Sequence, residues 1–532
     1  MRGFRSKGIK AVVLVSVLLF VPTVSFVAVQ GQNLNDYSVV FQALFPYVNS
    51  PSGHPIASKA VSWGDVTFSN TSSYSNIEIV LNGNLTVASG GVLTLTNVTL
   101  IVNCSSDGQH RIEVQNEGAL YINDTDGNPS TGEDASNITA YVPDNNFLFW
   151  VKSGATFQMN NSELHYCGYY YESSNRDHAG LWINTNNTII ENNTFKNNYY
   201  GIVLFNAHYN TIRGNNIINS GWHGIYLGYC TYNNISGNTA TNNYFDGFAL
   251  YSSSYNNLMG NVAIDSNYGF ALYSDSDNNN LTGNTAIDNY NFGFAVFSAH
   301  NNLTGNNATK NDYGFWLEHG SYNNLTGNNA TGNYQCGFWL WSGSDNNNLS
   351  GNTALNNPRG FLLNSSSSNV LLDNWAVNSS GEGYVLVGGA GNDLSGSVVA
   401  NFLRVRAVEM FGSPLSGVDV RMDVDGATVF EGQTGVGGYT DWIQVAYQVY
   451  SGLTPSDTVV EVWVTGVGYR VVNMSSSHTE TFIDMSYILP LTALILAFQN
   501  TQAIQTAQIN ILTYGVIFAV IAITLYILRR KT

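Results

Sequence analysis

Residues 269–292 read GFALYSDSDNNNLTGNTAIDNYNF, residues 293–313 read GFAVFSAHNNLTGNNATKNDY, and residues 314–336 read GFWLEHGSYNNLTGNNATGNYQC. Each segment opens on Gly-Phe, carries Asn-Leu-Thr-Gly-Asn in its middle and follows it with an Ala. Working outward, Gly followed by an apolar-x-apolar pair recurs at Gly180, Gly201, Gly224, Gly247, Gly269, Gly293, Gly314, Gly337, Gly360 and Gly383, at intervals of 21 to 24 residues. Ten occurrences at one period mean a solenoid, because one such unit cannot bury its apolar face alone. The two apolar residues after each glycine share one face of a short strand. The Leu of the Asn-Leu-Thr-Gly-Asn phase (Leu281, Leu303, Leu325) is a second inward position, and the following Ala (Ala286, Ala308, Ala330) is a third. Three short strands per coil of about 23 residues describe a parallel β-helix. Leucine-rich repeats share the period, but their Leu-x-x-Leu-x-Leu core is missing and the Asn, Gly and Ser density leaves no room for a helix. Asn238, Asn261, Asn284, Asn306, Asn328 and Asn352 occupy one place in successive coils. Rungs about 4.8 Å apart let such amides bond to one another, so this column is read as structural.

With these motifs in place, the stretch from about 175 to 401 resembles the right-handed parallel β-helix repeat shared by pectin-degrading enzymes, alginate epimerases and the NosD family. It extends more loosely back to residue 60 through Gly91 to Leu95, Gly118 to Ile122 and Gly154 to Met159. The resemblance implies an all-β, right-handed parallel β-helix and leaves the reaction open, since function resides in sites carried by the scaffold. It also implies neither enzyme signature in full. Trp222-His223-Gly224 is a partial echo of the polygalacturonase Gly-His-Gly, and Tyr244-Phe245-Asp246 of the epimerase Asp-Pro-His. Copper, by analogy with NosD, requires clustered His, Met or Cys. His208 and Cys230 are the pair that neighbouring coils could bring together.

The remaining segments divide the chain. Residues 1–31 read as a signal peptide or N-terminal anchor, 32–59 as a linker and 60–401 as the β-helix. Residues 402–485 alternate apolar and polar with turns at Asp425-Gly426 and Gly437-Gly438, which predicts a small antiparallel β-sandwich. Its run from Val405 to Val420 resembles carboxypeptidase-regulatory-like modules. Residues 486–510 form a membrane-proximal connector. The uncharged run at 511–528, followed by the basic tail 529–532, predicts a C-terminal transmembrane helix with the tail in the cytoplasm and the bulk of the chain outside. Nineteen Asn-x-Ser/Thr sequons agree with export, and four cysteines without paired spacing argue against a disulfide framework. Seven of the 19 basic residues lie at the two ends, so the interior carries 12 basic against 36 acidic groups, 12 − 36 = −24. That balance repels phosphate backbones and excludes nucleic acid as a partner.

Stacking in register turns equal offsets from the glycine into neighbours. The residue before each glycine places His223 beside Asp246, between Tyr200 and Tyr268. This group suits abstraction and return of a sugar-ring proton, while the plainer reading is a surface ion pair. Asp265 and Asp288 form a second carboxylate column, followed by Lys310. Two and four residues after the glycine stand Trp182, Phe205, Tyr226, Tyr251, Tyr273, Phe297, Trp316, Trp339 and Trp341. With the inward places filled by Phe and Leu, these are expected to face out as an aromatic strip. Trp316, Trp339, Trp341, Tyr251, Tyr273 and Phe297 beside Glu318 would stack on and bond a polysaccharide or cell-envelope glycan. Cover by a neighbouring subunit, that is self-association, is the alternative use of the strip. Asp124, Asp126 and Asn128 are an oxygen-rich set suited to Ca2+, although no cofactor is required. The expected function is non-catalytic glycan binding at the cell surface. A polysaccharide lyase, hydrolase or epimerase is one alternative, and a structural surface layer or adhesion protein is the other.

Overall fold

The computed structural model describes residues 60–128, 134–170, 179–407, 413–464, 468–472 and 480–484. The strands at the ten repeat glycines, with four earlier ones, form one parallel sheet of 14 strands, here the glycine sheet. The Leu and Ala positions lie on two further columns of parallel strands that continue from coil to coil. One coil thus runs Phe292–Val296, Asn302–Thr304, Asn307–Thr309 before the next opens at Tyr313–Glu318. Every assigned element among the described residues is a strand.

The predicted inward residues are the core. Phe248, Phe270, Phe294, Phe315, Phe338 and Phe361 are fully buried and stack ring on ring at 4.7–4.8 Å. Their rise is set by the strand spacing of about 4.8 Å. The Leu and Ala columns are equally buried. The repeat glycine is dictated by a close approach: a Cβ on Gly293 would lie 2.7 Å from the carbonyl oxygen of Gly314 and 2.9 Å from Cβ of Ala308.

The amide column from Asn238 to Asn352 is a continuous buried ladder, each Nδ2 donating to the next Oδ1 at 2.9–3.0 Å. Two more buried ladders run beside it, through Asn210, Asn233, Asn256 and Asn279, and through Asn289, Asn311, Asn333 and Asn357. Each satisfies backbone groups at a corner that the strands leave unpaired.

One strand runs across residue 401. Val398–Arg406 pairs in parallel with Trp375–Val377 and antiparallel with Ile443–Ser451, so one strand is both the last rung and the first strand of the next layer. Opposite it lies a four-stranded antiparallel sheet containing Asp419–Val424, Ala427–Gln433, Val460–Val464 and Gly468–Val472. Leu403, Val405, Val420, Met422, Val445 and Val462 fill the space between the layers. The predicted signal, N-terminal linker, connector, transmembrane segment and tail lie outside the described residues. Among the described residues no helix is long and apolar enough to cross a membrane.

Candidate functional site

The turn that leaves each Ala strand begins with a residue in the left-handed region: Asn219, Asn242, Asp265 and Asp288 at φ 57°, 54°, 51° and 52°. Asn and Asp tolerate this conformation best after Gly, which accounts for the Asp265 and Asp288 column without any appeal to catalysis. The next residue turns inward onto the third amide ladder, and the following one or two turn outward again. There the chain places Tyr199, Trp222, Tyr244, Phe245 and Tyr290. Tyr170 and Tyr199 lie 6.2 Å apart, Tyr199 and Trp222 6.4 Å, and Trp222 and Tyr244 6.0 Å, so the rings form a continuous edge along the solenoid. Tyr170, Tyr244 and Tyr290 are 64%, 73% and 78% exposed. Burial, and then Tyr170, raises the phenol pKa of Tyr199.

Two grooves open on this edge. One, of about 620 Å³, is lined by Asn242, Asn243, Tyr244, Phe245, Asp265, Ser266, Asn267, Asp288 and Tyr290. The other, of about 380 Å³, includes Tyr166, Tyr169, Tyr170, Asn197 and Tyr199. Aromatic rings, amides and exposed carboxylates converge in the first, the mixture a sugar ring requires. Sequence reading missed the edge because it followed the residue directly before the glycine and the offsets two and four after it. The available signal was the recurrence of Tyr or Trp two or three residues before it.

The expected strip on the glycine sheet is largely closed, which corrects its reading as an open platform. Trp182, Tyr226 and Trp316 are only 5%, 6% and 7% exposed, while Tyr273, Phe297, Trp339 and Glu318 are half-buried. Outward side chains of successive rungs close over one another, as where Trp316 stacks 4.0 Å from Phe292 and meets Phe297 and Trp339. Tyr251 and Trp341, at 41% and 36%, remain open at its rim. A further column, Tyr209, Tyr232 and Tyr255, is exposed, but its rings stack at 5.3 and 5.5 Å and present mostly edges.

His223 and Asp246 do meet, with Nδ1 3.2 Å from Oδ2, but not at the surface: His223 is 5% exposed and Asp246 0%. The surface ion-pair reading is therefore corrected to a buried pair. Tyr200, Tyr226 and Phe245 surround the imidazole at 5.3–5.5 Å, and Tyr268 lies in register with Asp246. Tyr273 donates to Asp246 Oδ2 at 2.8 Å, a partner the offsets did not single out. Burial, followed by the Asp246 charge, pushes the phenols of Tyr268 and Tyr273 upward, so both are held protonated. The aromatic rings thus screen the pair from solvent. His208 and Cys230 do not form a pair: His208 Nδ1 meets Thr231 Oγ1 at 2.8 Å, and the Cys230 thiol donates to the carbonyl of Gly228.

The sequence matches the family profile described as periplasmic copper-binding protein (NosD) over residues 102–292, 256–356 and 292–406. No curated protein matches the chain. Among solved structures, a point mutant of the periplasmic alginate epimerase AlgG is 12% identical, covering 59% of this chain and 77% of its own, with a TM-score of 0.43. The A-module of an Azotobacter vinelandii mannuronan C-5 epimerase is 17% identical, covering 60% and 90%, with a TM-score of 0.39. A thermostable α-1,3-glucanase catalytic unit from Streptomyces thermodiastaticus is 14% identical, covering 63% and 62%, with a TM-score of 0.33.

Copper, named in the family's description, is not served by the described residues. The four cysteines are buried, and burial raises the thiols of Cys230 and Cys336 to about 12, so a metal would have to displace their protons inside an apolar interior. The group of three that converges among the described His, Cys, Asp and Glu residues consists of carboxylates, which are hard donors. The profile matches together span residues 102–406, more than half of the 532 residues, and with the coil register seen in the structure they place the chain in the NosD family of β-helix repeat proteins.

Proposed function

We propose that the chain is a non-catalytic glycan-binding protein, displayed outside the cell by its C-terminal span, that lays a polysaccharide along the aromatic turn edge. The observation that carries this reading is the continuous edge of rings from Tyr170 to Tyr244, prolonged by Tyr290, beside exposed amides and the Asp265 and Asp288 carboxylates. Tyr290 makes no ring contact with another aromatic among the described residues, so its face is open to a sugar. From Tyr199 to Tyr290 the edge spans four rungs, about 19 Å at the rung spacing. This suits an extended oligosaccharide rather than a monosaccharide. The two-layered segment after the solenoid would act as the stalk, as the carboxypeptidase-regulatory-like resemblance suggests. The test is a glycan array on the full chain in nanodiscs, followed by titration of oligomers of increasing length. Tyr244→Ala and Tyr290→Ala are each expected to weaken binding about tenfold, matching the ~1.4 kcal/mol of one aromatic contact. Undiminished affinity in both would sink the proposal.

A carbohydrate-active enzyme is the second reading. The observation behind it is the His223, Asp246 and Tyr273 cluster, in which Asp246 Oδ1 is buried without a hydrogen-bond partner. The same burial weighs against it, because a catalytic group must touch its substrate. Cleaved or unsaturated products from a bound glycan, abolished by Asp246→Asn, would make this the leading account.

A further inference from the structure

At the corner between the Leu and Ala columns, in the turn between the strands Ala119–Asn123 and Asn137–Ala140, three carboxylates come together. One ligand oxygen from each of Asp124, Asp126 and Asp134 lies within 4.8 Å of the others. We infer that these three carboxylates are a binding site for one Ca2+ ion. Two observations independent of the clustering point to a ligand. Asp124 is 8% exposed and its Oδ2 has no hydrogen-bond partner, and the buried Oδ1 of Asp134 has none either. Each of these two carboxylates is oriented through its other oxygen. Asp124 Oδ1 accepts from Asn161 Nδ2 at 3.2 Å, while Asp134 Oδ2 accepts from the amides of Thr125 and Asp126 at 3.3 and 3.2 Å. No ion pair among the described residues involves Asp124 or Asp134. Buried anionic oxygens without a hydrogen bond or counter-charge are strongly unfavourable, and a cation between them removes the penalty.

The chemistry of the donors selects the ion. Ca2+ takes six to eight oxygen ligands in a flexible arrangement, which carboxylates on an irregular turn can supply, whereas Mg2+ demands near-ideal octahedral geometry and is seldom caged by protein groups alone. Copper prefers nitrogen and sulfur, and none is in the set. Bound Ca2+ would tie the two ends of the loop to the coil.

The test is calorimetric titration of the chelator-stripped full chain with CaCl2, MgCl2 and CuSO4 in separate runs, paired with the thermal midpoint in each ion. Saturable Ca2+ binding is expected, at least tenfold tighter than Mg2+ and accompanied by a raised midpoint. Asp124→Asn and Asp134→Asn keep the side-chain shape and should each weaken Ca2+ at least tenfold and abolish the rise. Asp126→Asn, at an exposed position, should do the same if a buried substitution prevents folding. No Ca2+-dependent heat, or Ca2+ binding unchanged in the folded variants, overturns the site.

Discussion

Asn284 illustrates how much one side chain does in this fold. Its Oδ1 accepts from the backbone amide and the Nδ2 of Asn261, while its own Nδ2 donates to the carbonyl of Leu258 and to Oδ1 of Asn306. Truncation leaves buried donors and an acceptor without partners, each worth ~1–3 kcal/mol. Asn284→Ala is therefore expected to destabilise by about 3 kcal/mol. Asn280, four residues earlier, donates to Asn257 Oδ1 at a similar 3.0 Å, but on the solvent side. Water replaces its bonds, and Asn280→Ala should change stability by less than about 0.5 kcal/mol. Urea midpoints of the two variants make the comparison, and equal shifts would show that burial of the ladder is not what counts.

At the scale of the element, the glycines separate into two kinds that the repeat alone does not distinguish. Gly293 is the second residue of the glycine-sheet strand Phe292–Val296, with negative φ, and its constraint is the backbone of the next rung, where an added methyl would overlap the Gly314 carbonyl. Gly283 sits in a turn at φ +63°, and a methyl added there would meet nothing within 4 Å, so its constraint is conformational. Gly293→Ala should force two rungs apart at a cost of about 3 kcal/mol or more. Gly283→Ala should cost about 1 kcal/mol, the penalty of the left-handed region. Thermal midpoints would rank the two, and a larger effect at Gly283 would contradict the close-approach account.

For the whole molecule, the interior is as revealing as the acidic surface. Burial raises the thiols of Cys230 and Cys336 to about 12 and lifts the Tyr273 and Tyr384 phenols above their ordinary range. In the unfolded chain these groups release protons near their usual values, about 8.5 for thiols and about 10 for phenols. Above those values the unfolded state binds fewer protons than the folded one, so stability is fully present below them and falls as pH rises. The thermal midpoint should accordingly decline from about pH 9 upward. Replacing both cysteines by Ala should lower the midpoint at pH 7 through lost packing while flattening its decline between about pH 9 and 12. An unchanged slope would mean that the thiols are not held protonated.

The β-helix, its three inward columns and the first amide ladder were legible in the sequence because each depends on local alternation repeated at one period. Stacking identical coils leaves little freedom in who meets whom: Phe270 must meet Phe294, and His223 must meet Asp246. Exposure was not legible. Whether Trp316 or Tyr290 is open to a ligand depends on how far side chains of adjacent rungs lean over one another and on which way each turn points its chain. Those are tertiary quantities, and they moved the candidate site from the glycine sheet to the turn edge. They also turned an expected surface ion pair into a buried one. The sequence by itself determined the periodic scaffold and its neighbours, while only the tertiary structure decided which of those neighbours face water, because burial is a property of the stacked coils together.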